Sequence, residues 1–284
     1  MFQKKFLSCS VPALPVVVKP VLTMTKPILF SVEVGSVVVA TDGFYIKTSG
    51  AKMDFVRRVN DRPLGMASVS DGVVLISAKG ASCYKFQDNG LRYKGALGVI
   101  SNPTAIASHG DFFCLGSRDE VVLYQLNNCS AAEQNRIPVS LGGIQFLAMP
   151  DENTVVGIVR KDDSSYSLFV AKERRVQETP IGLFLGESPT CLAVSLEKNE
   201  ISVGIGESVL QYKLDNLNLT GSITVKAASG LVYERKGLLI ADEFGVYCFE
   251  TRERLSNEPS KLHLSDNGVI LISNQNSLFL YPQS

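Results

Sequence analysis

The sequence predicts an all-β chain of seven repeated four-stranded units, and three observations carry that expectation. Helical periodicity is nearly missing, and apolar residues alternate or run in short blocks bounded by Gly, Asp, Asn and Ser, the pattern of strands. One phrase recurs along the chain at intervals of about 40 residues. Within each copy the polar turns fall at the same steps between strands. A single domain over residues 1–284 follows, folded as a seven-bladed β-propeller of four-stranded antiparallel blades.

The clearest copy opens with Leu64–Val69, turns at Ser70-Asp71-Gly72 and continues as Val73–Ser77. A Lys79-Gly80 turn leads to the aromatic-bearing strand Cys83-Tyr84-Lys85-Phe86, and Asp88-Asn89-Gly90 leads to a more polar closing strand from Leu91. The same order returns from Thr104, with turns at His109-Gly110-Asp111 and Arg118-Asp119, and from Cys191, with a turn at Lys198-Asn199. Further copies begin near Ile28, Ile144, Ser229 and Leu262.

A ring is the physical solution for such units. One blade cannot bury both of its faces, so neighbours stack around an axis, and closing the ring leaves only short, protected edges. Small residues in Met66-Ala67-Ser68, Ile106-Ala107-Ser108 and Leu192-Ala193-Val194 suit the tight centre. The seventh copy ends soon after Leu278–Tyr281 and lacks its closing strand. An N-terminal strand is therefore expected to complete the last blade, and residues 2–9, from Phe2 to Cys9, are the segment assigned to it. Pro15–Met24, extended and broken by Pro20, is needed by no blade in this count.

The pattern resembles the WD40-like propeller superfamily over essentially the whole chain. The resemblance lies in strand order and turn placement. The superfamily's repeating Gly-His is absent, and its closing Trp-Asp cannot occur in a chain with no Trp; Tyr84, Tyr124, Tyr212 and Tyr281 fall near that position. Gly237–Glu243 followed by Gly245-Val246-Tyr247 is similar to phrases in the diverged propellers of vesicle-coat and tethering subunits, and in actin-binding propellers. No functional residue is carried over from either group.

Composition narrows the function. The 28 basic residues balance 28 acidic ones, which argues against a dedicated nucleic-acid binder. No stretch is long and apolar enough to span a membrane. The six cysteines form no C-x-x-C pair and there are only two His, so zinc spacing is absent. Cys83, Cys114 and Cys248 sit in apolar runs and read as buried reduced thiols, which favours a reducing, cytoplasmic or nuclear setting. The start of the chain looks faintly like a leader, but Pro12, Pro15, Lys19 and Pro20 interrupt it. Asn128-Cys129-Ser130 and Asn218-Leu219-Thr220 match the short glycosylation acceptor pattern.

No catalytic set is found. His109 lies in a turn and His263 in a late inner strand, and no nucleophile elbow or phosphate loop is present. Gly204-Ile205-Gly206 reads as a turn, and the carboxylates at Asp162-Asp163 and Asp242-Glu243 read as turn formers. The basic clusters at Arg57-Arg58, Lys172–Arg175 and Arg252–Arg254 fall on closing strands or their approaches, at the rim.

Loops joining second to third strands, and one blade to the next, emerge on one face. Partner contact is expected there, at Arg62, Lys79, Arg118, Lys161, Phe184 and Phe244, since aromatics and Arg dominate hot spots. The loop Ile181–Pro189 stands out for its apolar residues between glycines. The expected function is a non-enzymatic protein–protein interaction scaffold, a propeller subunit of a multisubunit complex such as those of vesicle traffic. The expected partners are other protein subunits, with no nucleic acid and no cofactor, and the ring itself is expected to be monomeric. The alternative is a calcium-dependent propeller hydrolase of lactonase type, built on the carboxylate pairs.

Overall fold

The computed structural model describes residues 22–23, 28–33, 37–41, 44–49, 52–58, 61–70, 72–87, 90–139, 142–161, 163–173, 175–181, 187–258, 260–265, 268–273 and 277–282. Among them the strands make seven four-stranded antiparallel sheets and no helix. Six sheets are runs of four consecutive strands, opening with Ile28–Glu33, Gly65–Val69, Ala105–His109, Ile144–Asp151, Pro189–Ser195 and Gly230–Glu234. The seventh opens with Ser260–Ser265 and continues as Gly268–Ser273 and Ser277–Pro282. Its fourth strand is Leu22–Thr23, with Leu22 opposite Leu278 and Thr23 opposite Ser277.

An N-terminal strand thus completes the last sheet, but not the segment expected. Residues 2–9 lie outside the described residues, and the pairing strand comes from the Pro-interrupted stretch that no blade was thought to need. The reason is that a two-residue ladder asks for little β pattern, so neither Pro20 nor Pro27 prevents it.

Each opening strand touches the opening strand of the next sheet, and Ile28–Glu33 touches those of both the second and the seventh sheets. Side chains alternate between two seams. In the second sheet Val73, Leu75 and Tyr84 face the first sheet's Phe30, whereas Val74, Ile76 and Cys83 join Phe113, Leu115 and Tyr124 of the third. That explains why Gly72–Ile76 is buried at every position: a strand pressed on both faces reads as a continuous apolar run, not an alternating one. Phe169, fully buried, fills the seam between third and fourth sheets; burying such a side chain stabilises by roughly 1.5–3 kcal/mol.

Small residues and hydroxyls let the inner strands close up. An added Cβ at Gly230 would lie 2.8 Å from the Leu262 backbone nitrogen, in the next sheet. The Thr104 hydroxyl donates to the Ile144 carbonyl at 2.7 Å, and the Thr190 hydroxyl does the same to Ala228 at 2.5 Å, each linking a sheet entrance to the next. Between third and fourth strands the register shifts at Cys83/Tyr84, Leu123/Tyr124, Gln211/Tyr212 and Val246/Tyr247. A bulge thus recurs opposite a tyrosine of the third strand, with one extra residue on the closing strand.

The cysteine expectation needs correction. Cys83 is not a free thiol: it is bridged to Cys129, with Cα atoms 5.7 Å apart. Cys114, Cys191 and Cys248 are buried and free. The bridge removes one support from the inference of a reducing compartment. Sequence could not pair these residues, because 46 positions separate them and only the stacking of sheets brings them together.

Candidate docking face

The connectors between sheets and the turns between second and third strands lie at one end of the sheets, because each sheet's opening and third strands run the same way. Five of the six predicted contact residues are described, and all five sit at this end. Phe184 lies outside the described residues.

Arg62 is exposed in the connector before the second sheet. Its neighbour Asp61 accepts an ion pair from Lys79 at 2.9 Å, which ties the connector to the second-to-third turn and sets Lys79 beside Arg62. Leu64 in the same connector is 42% exposed. Arg118 and Asp119 form the corresponding turn of the third sheet. The turn is held from both sides, since the Gly142 amide donates to the Arg118 carbonyl at 3.2 Å and the Val139 amide to Asp119 at 2.9 Å.

Lys161 is less available than its sequence position suggests, as it is half-buried and paired with Glu178 at 2.8 Å. Phe244 is the reverse. The buried Asp242 carboxylate accepts from the Phe244 amide at 2.8 Å, so the turn closes on itself and projects the ring outward, 53% exposed. Asp163 plays the same part for Ser165, accepting from its amide at 2.8 Å and from its hydroxyl at 2.6 Å; these bonds hold its pKa below the usual carboxylate value. Both carboxylates act as turn closers here, and Asp162 lies outside the described residues.

Two grooves open on this end. One, of about 740 Å³, runs between the Gly98–Asn102 connector and the Arg118 turn, with Tyr124, Glu133 and Arg136 along its wall. The Tyr124 hydroxyl accepts from the Ile100 amide at 3.1 Å, and burial raises its pKa. Arg136 was missed from the sequence. It lies on the polar closing strand Ser130–Pro138, whose pattern gives no hint of a site, yet it reaches Glu120 at 2.6 Å and Glu133 at 2.9 Å. The fork of hydrogen bonds lowers the Glu133 pKa and raises that of Arg136.

The second groove, of about 690 Å³, lies between the fifth and sixth sheets with Glu187, Glu207, Lys226, Glu243 and Lys261 on its walls. Of the five described predicted residues only Arg118 lines either groove, so the structure spreads these five around the face without gathering them into one pocket. Among the described residues no group of three or more His, Cys, Asp or Glu is placed to hold a metal ion. No helix among them is long and apolar enough to cross a membrane.

The basic clusters fall where expected. Arg57 and Arg58 end the closing strand of the first sheet, and Lys172 and Arg175 flank the last turn of the fourth. Arg252 stacks its guanidinium 4.7 Å from the Phe249 ring centre, at the opposite end from the connectors.

No protein-family model matches the chain. No curated protein matches it in sequence. Solved structures do match in fold. The WD40 domain of Neurospora crassa Pan2 superposes with a TM-score of 0.67 at 12% identity, covering 91% of this chain and 89% of that one. BBS1N, solved in complex with ARL6DN, gives 0.67 at 15% identity, with 93% and 94% covered. Saccharomyces cerevisiae Sqt1 gives 0.63 at 10% identity, with 93% and 100% covered. The chain therefore has a propeller fold like that of the Pan2 WD40 domain. At these identities the likeness is one of fold alone.

Proposed function

We propose that the seven sheets are the blades of one closed ring over residues 1–284, and that the ring is a non-enzymatic scaffold that docks other protein subunits on its connector face. The observation that carries this is the exposure of Phe244, a large aromatic held outward by its own turn, on the face that also presents Leu64, Arg62 and Arg118. Aromatic and Arg side chains on a rigid frame are the usual anchors of protein interfaces. Contact between the first and seventh opening strands, with the Leu22–Thr23 pairing, supports closure. That BBS1N was solved with a bound protein supports docking as a use of such a ring.

Phe184 and Lys79 belong to the same proposed face, Lys161 to its margin. Membership of a multisubunit complex, of the kind found in vesicle traffic, and a cytoplasmic or nuclear setting are part of this reading. The test is quantitative affinity capture with mass spectrometry from cells expressing the wild type, a Phe244→Ala/Arg118→Ala variant, or Leu196→Ala at the opposite end. Leu196 is 46% exposed and serves as the matched control. Proteins retained by the wild type and the control but lost from the double variant support the reading; equal recovery by all three refutes it.

A further inference from the structure

The Cys83–Cys129 bridge joins two sheets rather than two strands of one. Cys83 lies in the third strand of the second sheet, fully buried among Val74, Ile76 and Ala81. Cys129 lies in the turn before the closing strand of the third sheet, only partly buried, between exposed Asn128 and Ser130. Asn128 and Cys129 both have positive φ, 49° and 61°, and this left-handed turn aims the Cys129 side chain into the seam. Tyr124, whose hydroxyl holds Ile100 beside the Arg118 groove, belongs to the same buried cluster as Cys83. One seam therefore carries the bridge and the hydrogen bond that shapes the groove.

We infer that Cys83–Cys129 is a redox latch on the seam between the second and third sheets, closed by oxidised dithiols or glutathione disulfide and opened by small thiols or dithiols. Access decides the chemistry. A thiolate from solvent attacks the Cys129 sulfur, because the Cys83 sulfur is sealed. The S–S bond breaks, its electron pair leaves on the Cys83 sulfur, and that thiolate takes a proton. A second thiol then attacks the mixed disulfide, releasing the reductant as its disulfide and Cys129 as a thiolate. Closure is the reverse, with two protein thiols oxidised and one low-molecular-weight disulfide reduced to two thiols. The remaining described cysteines, Cys114, Cys191 and Cys248, are all buried away from a solvent thiolate. Burial pushes the Cys114 thiol up to about 12 and the Cys191 thiol up to about 11, leaving these two protonated.

The test uses the full chain equilibrated with glutathione disulfide or with dithiothreitol. Non-reducing peptide mapping of the oxidised sample should show one species joining the Cys83 and Cys129 peptides. Reduction should lower Tm by roughly 7 °C, from the loop-closure entropy lost over 46 residues. Hydrogen exchange should then accelerate in peptides covering Gly98–Asn102 and Leu126–Ser130, while Val155–Ala171, in the next seam, stays unchanged. Cys129→Ser should show the reduced behaviour in both buffers. If that variant does not fold, the wild-type comparison decides alone. The latch is overturned if the linked peptide is absent from the oxidised protein, or if both samples melt and exchange alike.

Discussion

Replacing Gly230 by Ala tests the packing of neighbouring sheets at a single atom. The added methyl would meet the Leu262 backbone nitrogen at 2.8 Å, with Leu262 Cβ and Cγ at 3.2 and 3.3 Å, where ordinary contact begins at 3.4 Å. Backbone cannot swing away as a side-chain end can, so the sixth and seventh sheets must part by roughly half an ångström. Overpacking of this kind costs about 1–3 kcal/mol. The smaller unfolded-state entropy of Ala offsets about 0.4–1 kcal/mol of that. For 284 residues the unfolding entropy is roughly 0.6 kcal/mol per degree, so the mid-range net cost lowers Tm by about 2 °C and the largest by about 4 °C. Gly98→Ala is the control, since its added methyl meets nothing within 4 Å and should leave Tm level or slightly raised. Calorimetry of the three proteins in one buffer decides. A Gly230→Ala variant as stable as wild type, or an equal fall in Gly98→Ala, would refute the close approach of these sheets.

Three further outcomes are expected. Tyr124→Phe leaves the buried Ile100 amide without its acceptor and should cost about 1–3 kcal/mol, read as a lower midpoint in urea with unchanged slope. Burial pushes the Glu250 carboxyl up, but hydrogen bonds from Lys198 and the Leu238 amide outweigh it and hold the pKa below its ordinary 4.5. A depressed folded pKa gives stability that is present above the unfolded value and lost as pH falls through the folded one. Wild type should therefore lose more Tm than Glu250→Gln as pH drops below about 4.5, and parallel Tm–pH curves would contradict it. Deleting residues 1–24 removes the Leu22–Thr23 strand and should lower Tm, whereas deleting residues 1–9 leaves that pairing in place; reversed effects would return the closing role to the earlier segment.

Much of the sheet pattern was legible because strands pressed on both faces must be apolar at nearly every position. Val73–Ser77, Phe112–Leu115 and Ile201–Gly204 announce themselves in this way, and each falls within a second strand. Turn chemistry then placed Lys79, Arg118 and Phe244 at the connector end. What the sequence could not show depends on neighbours in space. Leu22–Thr23 pairs through backbone, which any residue but Pro can supply, so its side chains carry no signal. Arg136 looks like a solvated rim charge until the fold sets Glu120 opposite the same strand pair. The Cys83–Cys129 bridge crosses a seam, and local pattern is silent about seams. Whether Lys161 is free or paired was equally invisible, as Glu178 stands on the closing strand, with the third strand between the two in sequence and in the sheet.

The central claim, that the connector face is where partners bind, is tested most directly by affinity. A partner recovered by wild-type capture should be purified and its Kd measured for the wild type, Phe244→Ala/Arg118→Ala and Leu196→Ala. Hot-spot anchors are worth about 2 kcal/mol or more each, so the double variant should bind at least about 30-fold more weakly. Leu196→Ala should bind as wild type does. A double variant with wild-type affinity would contradict the account, and a loss confined to Leu196→Ala would move the docking surface to the other end of the sheets.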